Sequence, residues 1–292
     1  MKQQFIEKRF NKKSQEIIEQ ANGIISEYKT QRLILTIRQL YYQFVGRGLL
    51  DNTQANYKRI VNIMNDARLA GLVDWRAIED RTRNVESIGT WENPASIVES
   101  CVSCYKTDKW RNQEYHVEVW IEKEALTGVI AQICNQVEVP YFACRGYVSQ
   151  SEMYASAQRL AALDKPVIVL HLGDHDPSGI DMTRDNFDRL EMLSNKANIT
   201  VKRIALNMNQ IKRYNPPPNP CKLTDSRAVP CMEQFGKSSW ELDALSPTVT
   251  KNLIKKEVAK YRDDDVWAED LAAQEEDRKA LQEAWENLGG NA

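Results

Sequence analysis

Three acidic residues stand directly after apolar runs, a placement that could do chemistry: Glu122 follows HVEVWI, and Asp174 and Asp176 follow PVIVLHLG. Both runs read as strands, because Val117, Val119 and Ile121 alternate in the first and the second is apolar throughout, as in a strand buried on both faces. Working groups in an open parallel sheet collect at the carboxyl ends of its strands. Three carboxylates from two strand ends would then share one edge, where their mutual repulsion requires a cation. An all-oxygen donor set suits Mg²⁺ or Mn²⁺. A plainer reading stays open, since DHDPSG is good turn chemistry and both aspartates could merely cap the next helix. His171 and His175 lie close by, but no third residue completes a zinc site with them.

A second candidate lies far upstream in TIRQLYYQFVGRGLL. Ile37, Leu40, Tyr41, Phe44 and Val45 form the stripe of a helix packed on a core. Tyr42 falls about 100° further round, on a face shared with Arg38 one turn back. The spacing allows either a half-buried tyrosine whose hydroxyl meets a convenient cation or a phenol set beside a guanidinium for chemistry.

The elements that must position these groups divide the chain in two. Residues 1–95 read as helical: a first helix from about Lys12 to Lys29, the tyrosine helix, and a third, QANYKRIVNIMNDARLAG, behind an Asp51 or Asn52 cap. In the third, Tyr57, Ile60, Val61, Met64 and Ala67 point inward, while Lys58, Arg59, Asn62, Asn65 and Arg68 face out. Helix, short turn and helix with a basic, amide-rich outer face is a helix-turn-helix pattern. The following LVDWRAIEDRTR reads as an extended wing whose Arg76, Arg81 and Arg83 meet phosphates. A polar connector with one short helix, from about Val85 to Gln113, runs across the boundary into residues 96–292. There strand and helix alternate, which makes a parallel α/β sheet, and the acidic tail from about Arg262 reads as a solvated or dimer-packing helix.

Charge agrees with this division: Met1–Arg83 holds 15 basic and 9 acidic residues, whereas the remainder carries a net −8. Anion binding belongs to the front of the chain. With a formal net charge of −2, nucleic-acid contact must be a local patch. No apolar run approaches the roughly 20 residues of a membrane span, and the charged start MKQQFIEKRFNKK does not lead into a signal peptide. A soluble cytoplasmic protein with no membrane partner is expected. Six scattered cysteines, with a single CxxC at Cys101 and Cys104, read as reduced structural thiols.

A glutamate after one strand and a DxD after a later one resembles the Toprim domain of topoisomerases, DnaG-type primases and OLD-family nucleases. RQLYY ahead of a winged-helix pattern, then WIEKEAL, RGYVS and GDHDPSGIDM in that order, and finally ELDAL at Glu241–Leu245, resembles the A subunit of topoisomerase VI and the related transesterase that starts meiotic recombination. The likeness spans about Leu33 to Leu245. RGYVS departs from that family's GYPD-like turn, and the short chain resembles the stand-alone mini-A relatives of phages and other mobile elements.

The resemblance implies an α/β chain with an amino-terminal winged-helix (CAP-like) domain followed by a Toprim domain. It makes Tyr42 the nucleophile that forms a 5′-phosphotyrosyl link with DNA, aided by Arg38, with Glu122, Asp174 and Asp176 holding Mg²⁺. Lys58, Arg59, Arg68 and Arg81 would grip double-stranded DNA, and the protein would associate with the nucleoid. In that family the tyrosine of one subunit meets the metal site of the other, so a homodimer that cuts both strands is implied, with any ATPase partner encoded elsewhere. Three alternatives remain: a Toprim nuclease that uses water, a non-catalytic DNA-binding regulator, and a haloacid-dehalogenase-like phosphatase suggested by strand-DxDxS.

Overall fold

The computed structural model describes residues 2–31, 33–79, 88–195, 198–221 and 225–287. It is a mixed helix-and-sheet fold, about 57% helix, around a four-stranded parallel sheet.

Three helices come first: α1 (Lys12–Thr30), α2 (Ile37–Gly46) and α3 (Gln54–Leu69). Each starts on a side-chain cap, Asn11, Thr36 and Thr53 respectively, and Thr36 forms a reciprocal capping box with Gln39. Their apolar faces enclose one core of Ile17, Ile24, Tyr28, Leu40, Phe44, Ile60 and Met64 with their neighbours. Up to Glu79, where the described residues stop, the expected wing differs. Trp75–Ala77 form a 3₁₀ turn capped by Asp74, and Ile78 then pairs with Leu35. Arg68, expected to face out, turns back over this segment. Its guanidinium donates to the Trp75 carbonyl at 3.0 Å and lies 4.6 Å over the Trp75 ring. Lys58 and Arg59 are exposed as expected, and Arg81 and Arg83 lie outside the described residues.

A connecting helix α4 (Pro94–Cys104) leads to β1 (His116–Ile121), α5 (Thr127–Val137), β2 (Tyr141–Ala143), α6 (Gln150–Ala161), β3 (Val167–Leu172), α7 (Pro177–Ser194) and β4 (Ile199–Ala205). The strands run parallel in the order β2-β1-β3-β4. Val117, Val119 and Ile121 face a core built with α5 and the later α10 (Pro247–Val258), while Trp120 faces the core of α6 and α7. From β1 the chain steps outward to β2, then returns past β1 to β3 and on to β4. The carboxyl ends of β1 and β3 therefore flank the point where the winding reverses, and connections leave them on opposite faces. Such a switch point opens a crevice at the strand ends.

Beyond β4 come α8 (Met208–Tyr214), a two-stranded antiparallel ribbon of β5 (Asn219–Pro220) and β6 (Ser238–Ser239) around α9 (Ala228–Phe235), then α10 and α11 (Asp264–Asn287). The proline-rich stretch NPPPNPC thus supplies one side of the ribbon. The acidic tail is not simply solvated. Asp270 and Gln274 of α11 are buried, Asn112 donates to Asp270 at 2.7 Å, and the buried Lys109 ammonium donates to Gln274 at 3.0 Å. Among the described residues no helix is long and apolar enough to cross a membrane.

Candidate active site

The crevice at the switch point is acidic because of where β1 and β3 end. The Glu122 amide still donates to Leu172 in register, at 2.9 Å, and its carboxylate bends over the end of β3 to accept from the Asp174 amide at 2.7 Å. Gly173 makes room for this, since a Cβ there would stand 2.9 Å from the Glu122 carboxylate. Asp176 caps α7 by accepting from Gly179 at 2.6 Å, so the turn reading holds for this aspartate. Asp174 does something else. Its Oδ1 accepts from the buried Leu242 amide at 2.8 Å, and its Oδ2 pairs with the Lys123 ammonium at 2.8 Å. Burial, with Asp174 adjacent, pushes the Glu122 carboxyl up from its usual range, and burial does the same to Asp174.

The cations that balance this edge come from the chain itself. Lys123 reaches Asp174, Glu241 at 3.1 Å and Asp243 at 3.4 Å. From the middle of β4, Arg203 runs beneath the β3–α7 loop. It donates to the carbonyls of Gly173 at 3.0 Å, Asp174 at 2.5 Å and Gly179 at 2.8 Å, and to the Thr183 hydroxyl at 3.0 Å. Burial lowers this guanidinium to about 10, although Glu122 and Asp174 oppose the shift. Charge repulsion among the carboxylates, for which the sequence pattern required a cation, is met in part by Lys123 and Arg203.

Tyr42 comes to the same place within one chain. The Glu241–Leu245 turn packs on α2, with Ala244 against the helical core. Arg38 pairs with Glu241 and, through Nε at 3.1 Å, with Asp243. Tyr42 is consequently not on an open face; it is 5% exposed. The Arg38 guanidinium lies 5.9 Å over its ring. Glu241 and Asn219 lie beside its hydroxyl, and burial, followed by Glu241, pushes the phenol up to about 12. Arg38 opposes that shift, but its own charge is engaged by Glu241 and Asp243. Tyr41 is buried as expected, and its hydroxyl accepts from the Thr53 amide at 2.9 Å and donates to the Thr53 carbonyl at 3.0 Å.

Arg38, Tyr42, Asp174, Asp176, Asn219 and Glu241 all line one open cavity of about 470 Å³. Glu122 lines a separate cleft with Arg38, Lys123 and Asp243, and its carboxylate meets the Asp174 amide. The DNA-contact candidates Lys58 and Arg59 are on the exposed side of α3, and Arg68 is engaged with the turn at Trp75. His171 is buried against Thr183, its ring nitrogen 2.8 Å from that hydroxyl, and burial lowers it to about 3. His175 packs between the edges of Phe235 and Trp240. Pattern reading did not single out Lys123, Arg203, Asn219 or Asp243 as site residues. The signal for Lys123 was its place beside Glu122 at a strand end, and that for Asp243 its place in ELDAL; Arg203 and Asn219 had none.

The donor set fits Mg²⁺ by its chemistry, being hard carboxylate oxygens held in a crevice. Among the described residues no three His, Cys, Asp or Glu side chains form a ready metal cage. Mg²⁺ does not need one, because it keeps several waters and typically takes one or two carboxylates together with substrate phosphate. The chain matches no protein-family model, and no curated protein is significantly similar to it.

Proposed function

We propose that the chain is a Mg²⁺-dependent DNA-cleaving transesterase of the topoisomerase VI A-subunit type, built of a winged-helix unit and a Toprim unit. Tyr42 attacks a backbone phosphate and leaves a 5′-phosphotyrosyl link. The observation that carries this reading is the shared cavity: Tyr42, the tyrosine beside Arg38, lines the same space as Asp174 and Asp176.

A phenol near its ordinary pKa of about 10 is a poor nucleophile at neutral pH, and here burial raises it further. Glu241, beside the hydroxyl, supplies an acceptor for its proton. Arg38 and Lys123 hold that carboxylate ionised against the pull of burial. An incoming phosphate competes with Glu241 and Asp243 for Arg38, which then orients the scissile group. Glu122, Asp174 and Asp176 would hold Mg²⁺, which when bound supplies charge neutralisation at the phosphate and the departing 3′ oxygen. Lys58 and Arg59 meet flanking phosphates of double-stranded DNA, two chains together cut both strands, and an ATPase encoded elsewhere would drive any strand passage.

Hydrolytic cleavage by a Toprim nuclease is the second reading, favoured by the burial of Tyr42, which raises its phenol above the ordinary range. One experiment decides between them. Supercoiled plasmid is incubated with the protein and Mg²⁺, the reaction is stopped with detergent, and DNA ends are examined for attached protein. Transesterification gives protein linked to 5′ ends through Tyr42. Free ends, with cleavage retained in Tyr42→Phe, assign the chemistry to water.

A further inference from the structure

We infer that Lys123 is a positioning residue that competes with a divalent cation for Asp174, and that its displacement from Asp174 loosens the hold on Arg38. This rests on the metal-binding half of the reading above and holds whichever chain supplies the tyrosine. Both oxygens of Asp174 are engaged. Oδ1 accepts from the Leu242 amide at 2.8 Å, and Oδ2 meets the Lys123 ammonium at 2.8 Å. The first of these bonds belongs to a fixed frame. His175, between the two aspartates, exchanges backbone hydrogen bonds with Trp240 at 2.8 and 3.0 Å, which ties residues 174–176 to 240–242. The second belongs to a long, flexible stem. A cation arriving at Asp174 Oδ2 therefore displaces the Lys123 side chain and leaves the frame in place.

Other carboxylates stand ready to receive the displaced ammonium. It already lies 3.1 Å from Glu241 Oε2 and 3.4 Å from Asp243 Oδ2. Arg38 uses the same two atoms, pairing with Glu241 Oε2 and, at 3.1 Å, with Asp243 Oδ2. Three carboxylates thus share two cations. Burial works against the charge on Lys123, but Asp243, Asp174 and Glu241 together outweigh it and keep the ammonium charged. Once its bond to Asp174 is lost, that charge falls wholly on Glu241 and Asp243, and Arg38 is held less tightly there. Metal at the strand ends and a DNA phosphate at Arg38 then favour one another through Lys123, by the same factor in each direction.

The test is a Mn²⁺ titration of the full-length protein without DNA, followed by the electron paramagnetic resonance signal of free Mn²⁺. Removing a residue that only supports a metal ligand lowers metal affinity, by about 10–100-fold. Removing a competitor raises it. Lys123→Gln and Lys123→Met should therefore each bind Mn²⁺ about tenfold more tightly than the wild type, whereas Lys123→Arg, which keeps the charge, should bind it as the wild type does. Mn²⁺ should also raise the unfolding temperature of Lys123→Gln by more than that of the wild type, as mass action requires. On a Tyr42→Phe background, the gain in affinity for a short DNA duplex on adding Mn²⁺ should shrink when Lys123→Gln is introduced; an equal gain overturns the link to Arg38. Mn²⁺ binding that is unchanged or weaker in both charge-removing variants overturns the inference and leaves the metal reading standing. A wild type that binds no Mn²⁺ overturns both.

Discussion

Tyr41 and Tyr42 are adjacent, both are buried, and their hydroxyls have different partners. Tyr41 completes the first turn of α3 by bonding both the amide and the carbonyl of Thr53. Tyr41→Phe leaves these groups without it and should lower stability by about 1–3 kcal/mol, read by urea unfolding, with adduct formation retained. Tyr42→Phe should abolish the adduct. Its phenol also makes a prediction about pH. The folded chain keeps this proton up to about 12, against an ordinary 10.0. The associated stability is whole below pH 10 and is lost as pH rises through 12, worth about 2 kcal/mol over that window. Unfolding midpoints of the wild type should therefore fall more steeply with alkaline pH than those of Tyr42→Phe; parallel curves would contradict the assignment. Among the carboxylates, Asp174→Ala strips partners from the Leu242 amide and from Lys123, so it costs stability as well as activity. Asp176→Asn is the cleaner probe of chemistry.

The β3–α7 loop is the element on which the acidic edge depends. Its carbonyls point inward to Arg203, and Gly179 lets α7 begin directly against it, since a Cβ there would lie 2.3 Å from the Asp174 carbonyl oxygen. Hydrogen bonds to a charged group contribute about 1.5–3 kcal/mol each, although one guanidinium making several gives less than their sum. Arg203→Met should destabilise the protein by about 3 kcal/mol or more, checked by denaturant unfolding. Arg203→Lys keeps the charge but not the planar fork and should recover only part. Loss of no more than a few tenths of a kcal/mol in the Met variant would show that the loop holds its shape without this residue.

For the molecule as a whole, two contacts govern how the halves behave. The Arg38, Glu241, Asp243 and Lys123 cluster ties the tyrosine helix to the sheet, and α11 seals the connector before β1. Trp267 of α11 meets Trp110 edge-on at 6.0 Å between ring centroids, and Lys109 is 2% exposed with Glu138 and Gln274 as its partners. Gln274→Ala removes one partner from a buried ammonium and should cost about 1–3 kcal/mol. Ending the chain after Arg262 should lower the unfolding temperature further by also uncovering Trp110. Thermal melts followed by tryptophan fluorescence test both, and unchanged melting in the truncated chain would return the tail to the solvated helix that its composition suggests.

Local pattern was enough to read the strands ending at Ile121 and Leu172, the three amino-terminal helices and the placement of Glu122, Asp174 and Asp176 at strand ends. These follow from periodicity, capping and the geometry of parallel sheets, which act over a few residues. The sequence also marked Tyr42 and Arg38 as sharing a helix face. What covers that face is a turn 203 residues away from Arg38, and no local signal carries that distance. The burial of Tyr42, the diversion of Arg38 to Glu241 and Asp243, the use of Lys123 and Arg203 as built-in cations and the docking of α11 were decided only by tertiary closure. A side chain's partners, and with them its charge state, are set by whichever segment packs against it, and that choice is made by the whole fold.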